Sequence, residues 1–369
     1  MSQPVRRIRL QFHEGSTAFD SLSAIERIGP HLFLGSDESQ SLERLTASDG
    51  GQSFAAHRSF PVGDFIPLPG DDEEIDVEGL SYSAPYLWLV GSHSLKRQKP
   101  RPDDDAAKQI ERLGRVKPEA NRYVLARIPV VENRSTGEFS PAEGAANPSG
   151  GDDLRAAHLA YGKHGNALIE ALKADPHLGP FLPRAELKDE AIKLSLPSKD
   201  NGFDIEGLAA RGNRLFVGLR GPVLRGWAMV IELAVEAAAA ELRLREIGPQ
   251  SQTYRKHFLR LDGLGVRDLI WRGDDLLVLV GPTMDLDGPV RVFRWRGVTN
   301  LGRETITPRD ELEVLLDVPF GDGADHAEGM TLLGDGESPA SLLVVYDSPA
   351  AGRKAGATEV FADVFTLPD

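Results

Sequence analysis

The hydrophobic pattern of this chain repeats in units of short strands. Two segments show the repeat most clearly, because Ile75–Leu80 and Phe203–Leu208 both contain an Asp-x-Glu-Gly-Leu pattern. Each is followed after a few polar residues by an apolar run that ends in glycine, and then by strands that alternate between apolar and polar residues. An inner strand, a turn, an apolar second strand and amphipathic outer strands together are typical of a β-propeller blade.

Three weaker copies keep the same order of elements. They are Ser23–Glu26 before His31–Asp37, Val266–Ile270 before Leu276–Gly281, and His326–Met330 before Leu342–Asp347. Aligned on their acidic positions, the five copies place Glu26, Glu78, Glu206, Asp268 and Glu328 at intervals of 52, 128, 62 and 60 residues. We therefore predict an all-β chain, a β-propeller of five or six blades that spans residues 1–369. Arg7–Phe12 also alternates, and is expected to close the ring beside residues 359–365.

The long interval of 128 residues indicates an insertion between blades. We predict that residues 95–195 form this insertion, which is rich in loops, contains a helix and is a candidate lid over the channel mouth. Asp152 is the expected helix cap. Apolar and small residues then recur three and four positions apart up to Leu172, as on one face of a helix.

Composition narrows the function further. The chain has 369 residues and a net charge of −14, and a balance this acidic argues against a nucleic-acid partner. It contains no cysteine, which excludes disulfides and thiolate metal sites. No apolar run is long enough for a membrane span, and the N-terminal residues lack the apolar core of a signal peptide. The expected location is the cytoplasm, without a membrane partner.

The predicted propeller has one face on which chemistry is expected. Inner strands begin, and second strands end, at the same mouth of the central channel. Glu78, Glu206, Asp268 and Glu328 are therefore candidate ligands of a divalent cation, Ca²⁺ or Mg²⁺, which prefer oxygen donors. The alternative is structural, with each carboxylate paired to backbone amides or to basic side chains. Both alternatives neutralise facing carboxylates.

Other residues at this mouth suggest roles around a substrate. His93 and His326 are candidates for proton transfer. Arg220 and Lys96 are candidates for binding an anionic group, and Asp37 and Asp347 complete the predicted substrate site. One hypothesis is therefore a metal-assisted hydrolase of esters, lactones or phosphoesters that acts on a small anionic molecule. The alternative is a non-catalytic propeller that binds a protein or a small ligand on the same face.

Two stretches also resemble a known family. Glu74–Leu80 with Leu87–Arg97, and Phe203–Pro222, resemble bacterial proteins of the domain-of-unknown-function 3616 family, whose name implies no reaction. The Asp-x-Glu-Gly-Leu pattern is more distantly similar to esterase-like phytase propellers and to the gluconolactonase/senescence-marker group. That second resemblance implies that Glu78 or Glu206 binds a divalent metal. The first copy lacks the glycine and Asp268 is followed by Leu269, so the Glu-Gly pair of the motif is confined to three units.

Overall fold

The computed structural model describes residues 2–70, 73–162, 164–183, 196–334 and 340–368. Strand β1 (Arg6–Gln11) precedes the first blade. Blade 1 consists of β2 (Leu22–Ile28), β3 (His31–Ser36), β4 (Ser41–Ser48) and β5 (Ser53–Pro61). These four strands form an antiparallel meander from the channel outward. Blade 1 is therefore a propeller blade of the predicted kind.

Blade 2 includes part of the long interval. It begins with β6 (Val77–Ser83) and β7 (Tyr86–Gly91) and continues with β10 (Leu125–Asn133) and β11 (Glu138–Pro141). Between β7 and β10 lie β8 (Lys96–Arg97), α1 (Ala106–Leu113) and β9 (Val116–Lys117). The segment 95–195 thus contributes β10 and β11 to blade 2, and its residues 184–195 lie outside the described residues.

The helix predicted from Asp152 is much shorter in the structure. The described residues between 144 and 166 include five short strands. These are β12 (Gly144–Ala145), β13 (Leu154–Arg155), β14 (Ala157–Leu159), β15 (Tyr161–Gly162) and β16 (Gly165–Asn166). Only α2 (Ala167–Leu172) is helical, capped by the Asn166 side chain. The prediction was wrong for the described residues 152–162 and 164–166, because β14 pairs with β10 on one side and with β20 (Glu241–Leu244) on the other. Strand pairing therefore overrides the local helical pattern.

Blades 3, 4 and 5 follow the insertion. Blade 3 consists of β17 (Asp204–Arg211), β18 (Arg214–Gly221), β19 (Ala228–Ala238), β20 and β21 (Tyr254–Leu259). Blade 4 consists of β22 (Gly265–Arg272), β23 (Asp275–Gly281), β24 (Val290–Trp295) and β26 (Glu313–Val318), while β25 (Thr305–Thr307) pairs with β21. Blade 5 consists of β27 (His326–Leu333), β28 (Ser341–Asp347), β29 (Glu359–Thr366) and β1.

Short 3₁₀ turns connect several of the strands. They lie at Ala18–Asp20, Asp49–Gly51, Val62–Asp64, Ala120–Tyr123, Gly179–Phe181, Pro249–Ser251, Val298–Asn300, Arg309–Glu311 and Ala351–Arg353. Neither helix of the described residues has the length and apolarity that crossing a membrane requires.

The ring closes between the first and the last blade. Strand β1 pairs antiparallel with β29, from Arg6 opposite Val364 to Gln11 opposite Glu359, which confirms the predicted closure. Each inner strand also packs beside the inner strands of both neighbouring blades. The described residues therefore contain five blades.

Five apolar cores lie between neighbouring blades. Leu87 and Leu89 of β7 point into the core shared with blade 1, whereas Trp88 and Val90 point into the core shared with blade 3. Successive residues of a strand face opposite sides of the sheet, so a strand buried on both sides must be apolar throughout. This explains the continuous apolar runs of the second strands. Inner strands also approach closely, because a side chain at Gly79 would come 2.7 Å from Leu208.

Candidate functional site

Every inner strand carries one bulged residue near its start, at the channel mouth. The pairing register skips Ser23, Glu78, Glu206, Arg267 and Glu328. A bulge adds one residue to one strand and redirects that residue's side chain. The geometric equivalents of Glu78 are therefore Ser23, Glu206, Arg267 and Glu328. The sequence alignment on acidic positions matches this register in only three blades.

Glu26 and Asp268 lie away from this ring of bulged residues. Asp268 is buried, and its two carboxylate oxygens accept hydrogen bonds from the backbone N–H of Leu269 (2.7 Å) and Met330 (2.8 Å). Glu26 likewise accepts hydrogen bonds from Arg27 and, in blade 2, from Tyr82 (3.0 Å each). Burial raises the pKa of Glu26 to about 7 and that of Asp268 well above its usual range. Both residues tie an inner strand to the next blade, as in the structural alternative.

A continuous cavity lies over the ring at the mouth. It has an inner lobe of about 300 Å³, which is also lined by Glu78 and Asp204, and an outer lobe of about 420 Å³, which is also lined by His326. Both lobes have Asp37, Arg220, Glu328 and Asp347 in their walls. The size suits a small molecule. The residues predicted for the site that line this cavity are Asp37, Glu78, Lys96, Glu206, Arg220, His326, Glu328 and Asp347.

His93 is not among the residues that line the cavity. It is 3% exposed, and its Nδ1 lies 2.8 Å from the Gly91 carbonyl oxygen while its Nε2 lies 2.7 Å from the Asn166 amide nitrogen. An Nδ1–H that donates to Gly91 and an Nε2 that accepts from Asn166 satisfy both ring nitrogens. Burial lowers the pKa of His93 to about 4. The neutral ring therefore links blade 2 to the residue that caps α2.

Two arginines neutralise Glu206 inside the ring. Arg220 Nη1 donates to Glu206 Oε1 (2.7 Å) and its Nε to the Thr283 carbonyl oxygen (3.0 Å). Arg267 Nη1 donates to Glu206 Oε2 (3.0 Å) and to Glu328 Oε1 (2.7 Å). The two guanidinium charges hold the pKa of Glu206 below its usual range despite burial. Arg220 is only 5% exposed, so it acts here as an internal counter-charge.

A second buried ion pair lies on the blade 2 side of the cavity. Arg122 Nη1 lies 2.7 Å from Asp76 Oδ2, and its Nε donates to Glu119 Oε2 (2.8 Å). Lys96 lies nearer to the rim, with its Nζ 3.1 Å from Glu74 Oε2 and 3.8 Å from Glu119. Arg122 was missed by the sequence analysis because it comes from a turn before β10, outside the repeated pattern.

Two carboxyl groups in the cavity wall, the buried Glu78 and the partly buried Asp37, lack such partners. Among the described residues, no hydrogen-bond donor or cation contacts the Glu78 side chain, although the residue is only 8% exposed. Asp37 Oδ1 is also buried without a hydrogen-bond partner. Burial and the neighbouring carboxylates Asp76 and Asp347 raise the pKa of Asp37 to about 7. Burial, together with repulsion from nearby carboxylates such as Asp76 and Glu206, raises the pKa of Glu78 well above its usual range.

Asp204 and Asp347 are also weakly compensated. The nearest cation to Asp204 is Arg220, at 3.9 Å, which already serves Glu206. Asp347 Oδ2 lies 4.0 Å from Nδ1 of His326. The Nε2 atom of His326 lies 3.3 Å from Asp287 Oδ1. His326 is partly exposed at the edge of the cavity, where a bound molecule can reach it.

The predicted metal ligands do not converge on one point. Asp268 faces away from the ring, and Glu206 and Glu328 share Arg267. Over the part of the chain that the structure describes, no three carboxylate or histidine side chains are arranged to hold a metal ion. The residues present therefore do not fit a Ca²⁺ or Mg²⁺ ion bound by the predicted set, since such ions take six or more oxygen ligands.

A larger cavity of about 990 Å³ lies at the other end of blade 2. It is lined by the turn between β6 and β7, including Pro85 and Tyr86, and by exposed loop residues such as Asp152 and Asp153. The buried carboxyl groups described above lie at the channel mouth. We therefore place the candidate site at the mouth.

The chain is similar to known solved structures only at low sequence identity. No curated protein matches the chain. Among solved structures, a streptogramin B lyase aligns with 9% identity over 98% of both chains, at a TM-score of 0.36. The PQQ-bound aldose sugar dehydrogenase of Streptomyces coelicolor has 9% identity over 98% of this chain and 99% of its own, at a TM-score of 0.36. A luciferin-regenerating enzyme has 9% identity over 97% and 95%, at a TM-score of 0.35.

The strand pairing itself establishes the propeller fold. The family comparison is more specific, because the model of the family described as protein of unknown function (DUF3616) matches residues 21–363. The match includes both stretches, 74–97 and 203–222, that carried the resemblance in the sequence. The chain belongs to the DUF3616 family.

Proposed function

We propose that the channel mouth is the active site of a hydrolase of small esters, lactones or phosphoesters, with buried carboxyl groups as acid and base. The observation that carries this proposal is the pair of partnerless carboxyl groups, Asp37 and Glu78, in the wall of one cavity. A buried ionisable group without a partner lowers the stability of the fold. Such groups with raised pKa values cluster at functional sites.

Asp37 is the proposed general base. With a pKa of about 7, an appreciable share of Asp37 is ionised at neutral pH and still basic enough to take a proton from water. The water oxygen then forms a bond to the carbonyl carbon or phosphorus of the substrate. Glu78 is the proposed general acid, because burial and the facing carboxylates raise its pKa well above the usual range and so favour its protonated form. Its proton goes to the leaving oxygen as the ester bond breaks.

The basic residues of the mouth have two proposed roles. Arg220, Arg267 and Arg122 hold neighbouring carboxylates in place, since their donors are engaged with them. Binding of an anionic group of the substrate is assigned to the rim, where Lys199 and His326 face the cavity. This revises the role that the sequence suggested for Arg220. No step of the proposed reaction involves a metal ion, so Ca²⁺ or Mg²⁺ binding is the competing proposal.

The test is a hydrolysis assay on three chromogenic or pH-coupled substrate classes: p-nitrophenyl esters, five- and six-membered lactones, and p-nitrophenyl phosphate. Wild type is expected to turn over at least one class without added metal. Asp37→Asn and Glu78→Gln are each expected to reduce kcat by a factor on the order of 10²–10⁴. Asp275→Asn is the matched control, since Asp275 is an ion-paired aspartate on β23, away from the mouth.

Equal rates for wild type and Asp37→Asn would refute the assignment of the base. Binding at the mouth without turnover of any class would refute hydrolysis and favour the non-catalytic propeller. Activity that requires Ca²⁺ or Mg²⁺ and disappears with chelator would favour the metal-assisted alternative.

A further inference from the structure

The guanidinium groups inside the mouth are already engaged by the protein. Arg220 donates to Glu206 and to a backbone carbonyl, and Arg267 to Glu206, Glu328 and the Pro282 carbonyl. The Arg122 group is likewise engaged by carboxylates and hydroxyls of blade 2. A substrate that enters the inner cavity therefore does not meet a free guanidinium.

The inner wall of the cavity carries carboxyl oxygens that lack a close hydrogen-bond donor or cation. Glu78 has no partner among the described residues, Asp37 Oδ1 has none, and Asp204 has only a distant share of Arg220 at 3.9 Å. Glu78 and Asp204 are 8% and 2% exposed, and both line the inner lobe. This part of the cavity repels anionic groups and attracts groups that donate hydrogen bonds or carry positive charge.

The rim has the opposite character. Lys99 and Lys199 are exposed and line both lobes, and within the described ranges no carboxylate pairs with either side chain. The Lys199 charge reaches the inner wall as well, since it lowers the pKa of Asp37 and of Glu206. The mouth therefore presents free ammonium groups outside and free carboxyl groups inside.

We propose that the substrate of this site carries an ammonium group, which lies against Glu78 and Asp204, and an acidic group, which lies at Lys199. This proposal shares one assumption with the proposed function, namely that the cavity is the substrate site. A neutral hydroxyl group would also donate hydrogen bonds to these carboxylates. An ammonium group fits better, because its charge offsets that of Asp204, while the protonated carboxyl group of Glu78 accepts one of its hydrogen bonds.

The experiment uses non-hydrolysable probes and isothermal titration calorimetry at pH 8. The probes are 6-aminohexanoate, the equal-length hexanoate and 6-hydroxyhexanoate, and hexylamine. We expect 6-aminohexanoate to bind about tenfold or more tightly than hexanoate and 6-hydroxyhexanoate. Asp204→Asn is expected to weaken both amine probes, because it removes the carboxylate charge that faces the ammonium group. Lys199→Ala is expected to weaken 6-aminohexanoate but to leave hexylamine unchanged. Lys173→Ala is the control, at a partly exposed lysine that follows α2 and is paired with Glu170.

Circular dichroism and melting of each variant confirm that it is folded. The proposal is overturned if hexanoate or 6-hydroxyhexanoate binds as tightly as 6-aminohexanoate, or if no amine probe binds at millimolar concentration. None of these probes contains a scissile ester bond. Failure of hydrolysis therefore leaves the ligand class standing, and failure of amine binding leaves the hydrolysis assay as an independent result.

Discussion

Replacement of Asp37 by Asn should make the folded protein more stable at pH 8. An ordinary aspartate has a pKa of 3.8, whereas burial and nearby carboxylates raise that of Asp37 to about 7. The folded state therefore keeps a proton that the unfolded state has lost between these two pH values. The free energy of unfolding must therefore fall as pH rises from about 4 to about 7. Above pH 7 Asp37 is charged in the folded state, and the full destabilisation by this buried charge is present.

The size of the effect follows from the pKa values. About three powers of ten in proton affinity, at about 1.4 kcal/mol for each, give roughly 4 kcal/mol as an upper bound. Relaxation of the fold, and the hydrogen bonds that the new amide still needs, reduce this figure. We expect a gain of about 1–3 kcal/mol at pH 8, which shrinks toward zero near pH 4.

Urea unfolding of wild type and Asp37→Asn at pH 4, 5, 6, 7 and 8 measures this difference. Asp275→Asn is a control of opposite sign, because Asp275 accepts hydrogen bonds from Arg294 Nε and the Gly297 N–H (2.7 Å each) and its pKa is lowered. That variant should lose stability at pH 8. If Asp37→Asn were less stable than wild type at pH 8, or if its gain did not change with pH, the reasoning about a partnerless buried carboxylate would be wrong.

Four further outcomes are expected. Arg220→Met should lower the free energy of unfolding by about 3–5 kcal/mol in chemical denaturation, because it leaves a buried carboxylate with less compensation; a loss below about 1 kcal/mol would contradict the counter-charge role. Asp268→Ala should lower the free energy of unfolding by about 1–3 kcal/mol for each backbone N–H that it leaves unsatisfied, yet the folded variant should hydrolyse substrate as fast as wild type. A loss of activity without a loss of stability would show that Asp268 belongs to the active site. Millimolar Ca²⁺ or Mg²⁺ should leave the melting midpoint at pH 8 unchanged, whereas a bound cation at 100 times its Kd would add about 2.7 kcal/mol. Limited proteolysis should cut first near 98–105 or 135–151, as expected of a mobile insertion, and first cuts within 203–233 would contradict the lid prediction.

The blade architecture was readable from the sequence because each blade encodes it locally. A second strand buried on both faces must be apolar, and Leu87–Gly91 and Leu276–Gly281 therefore stand out. Closure by the N-terminal strand was also visible, since Arg7–Phe12 alternates like an outer strand. The count of five blades required the structure, because the long interval leaves room for a sixth unit.

The ring of bulged residues was misaligned in two blades. Spacing alone aligned Glu26 and Asp268 with Glu78, although the bulge falls on Ser23 and Arg267. The apolar residues on either side of the bulge indicate the correct register. Val77 and Leu80 bracket the Glu-Gly pair, and Val266 and Leu269 bracket Arg267-Asp268 in the same way. An alignment on flanking apolar residues would therefore have found Arg267.

Other parts of the site have no sequence signal of this kind. Arg122 and Lys199 come from a turn and a loop outside the repeat, and tertiary structure alone brings them to the mouth. His93 occupies the repeat position expected of a mouth residue, but its positive φ of 55° and its bond to Asn166 direct it into the protein interior. Neither feature can be deduced from residue spacing.

The most direct test of a carboxyl acid–base site at the channel mouth is the pH dependence of kcat/KM for the best substrate, measured on wild type and on Asp37→Asn. If Asp37 is the base, wild-type kcat/KM should rise with pH and level off above about 7, following the ionisation of that carboxyl group. The residual activity of Asp37→Asn should lack this rise. A wild-type profile that is flat between pH 5 and 8, or the same rise in the variant, would contradict the assignment of the channel mouth as a carboxyl acid–base site.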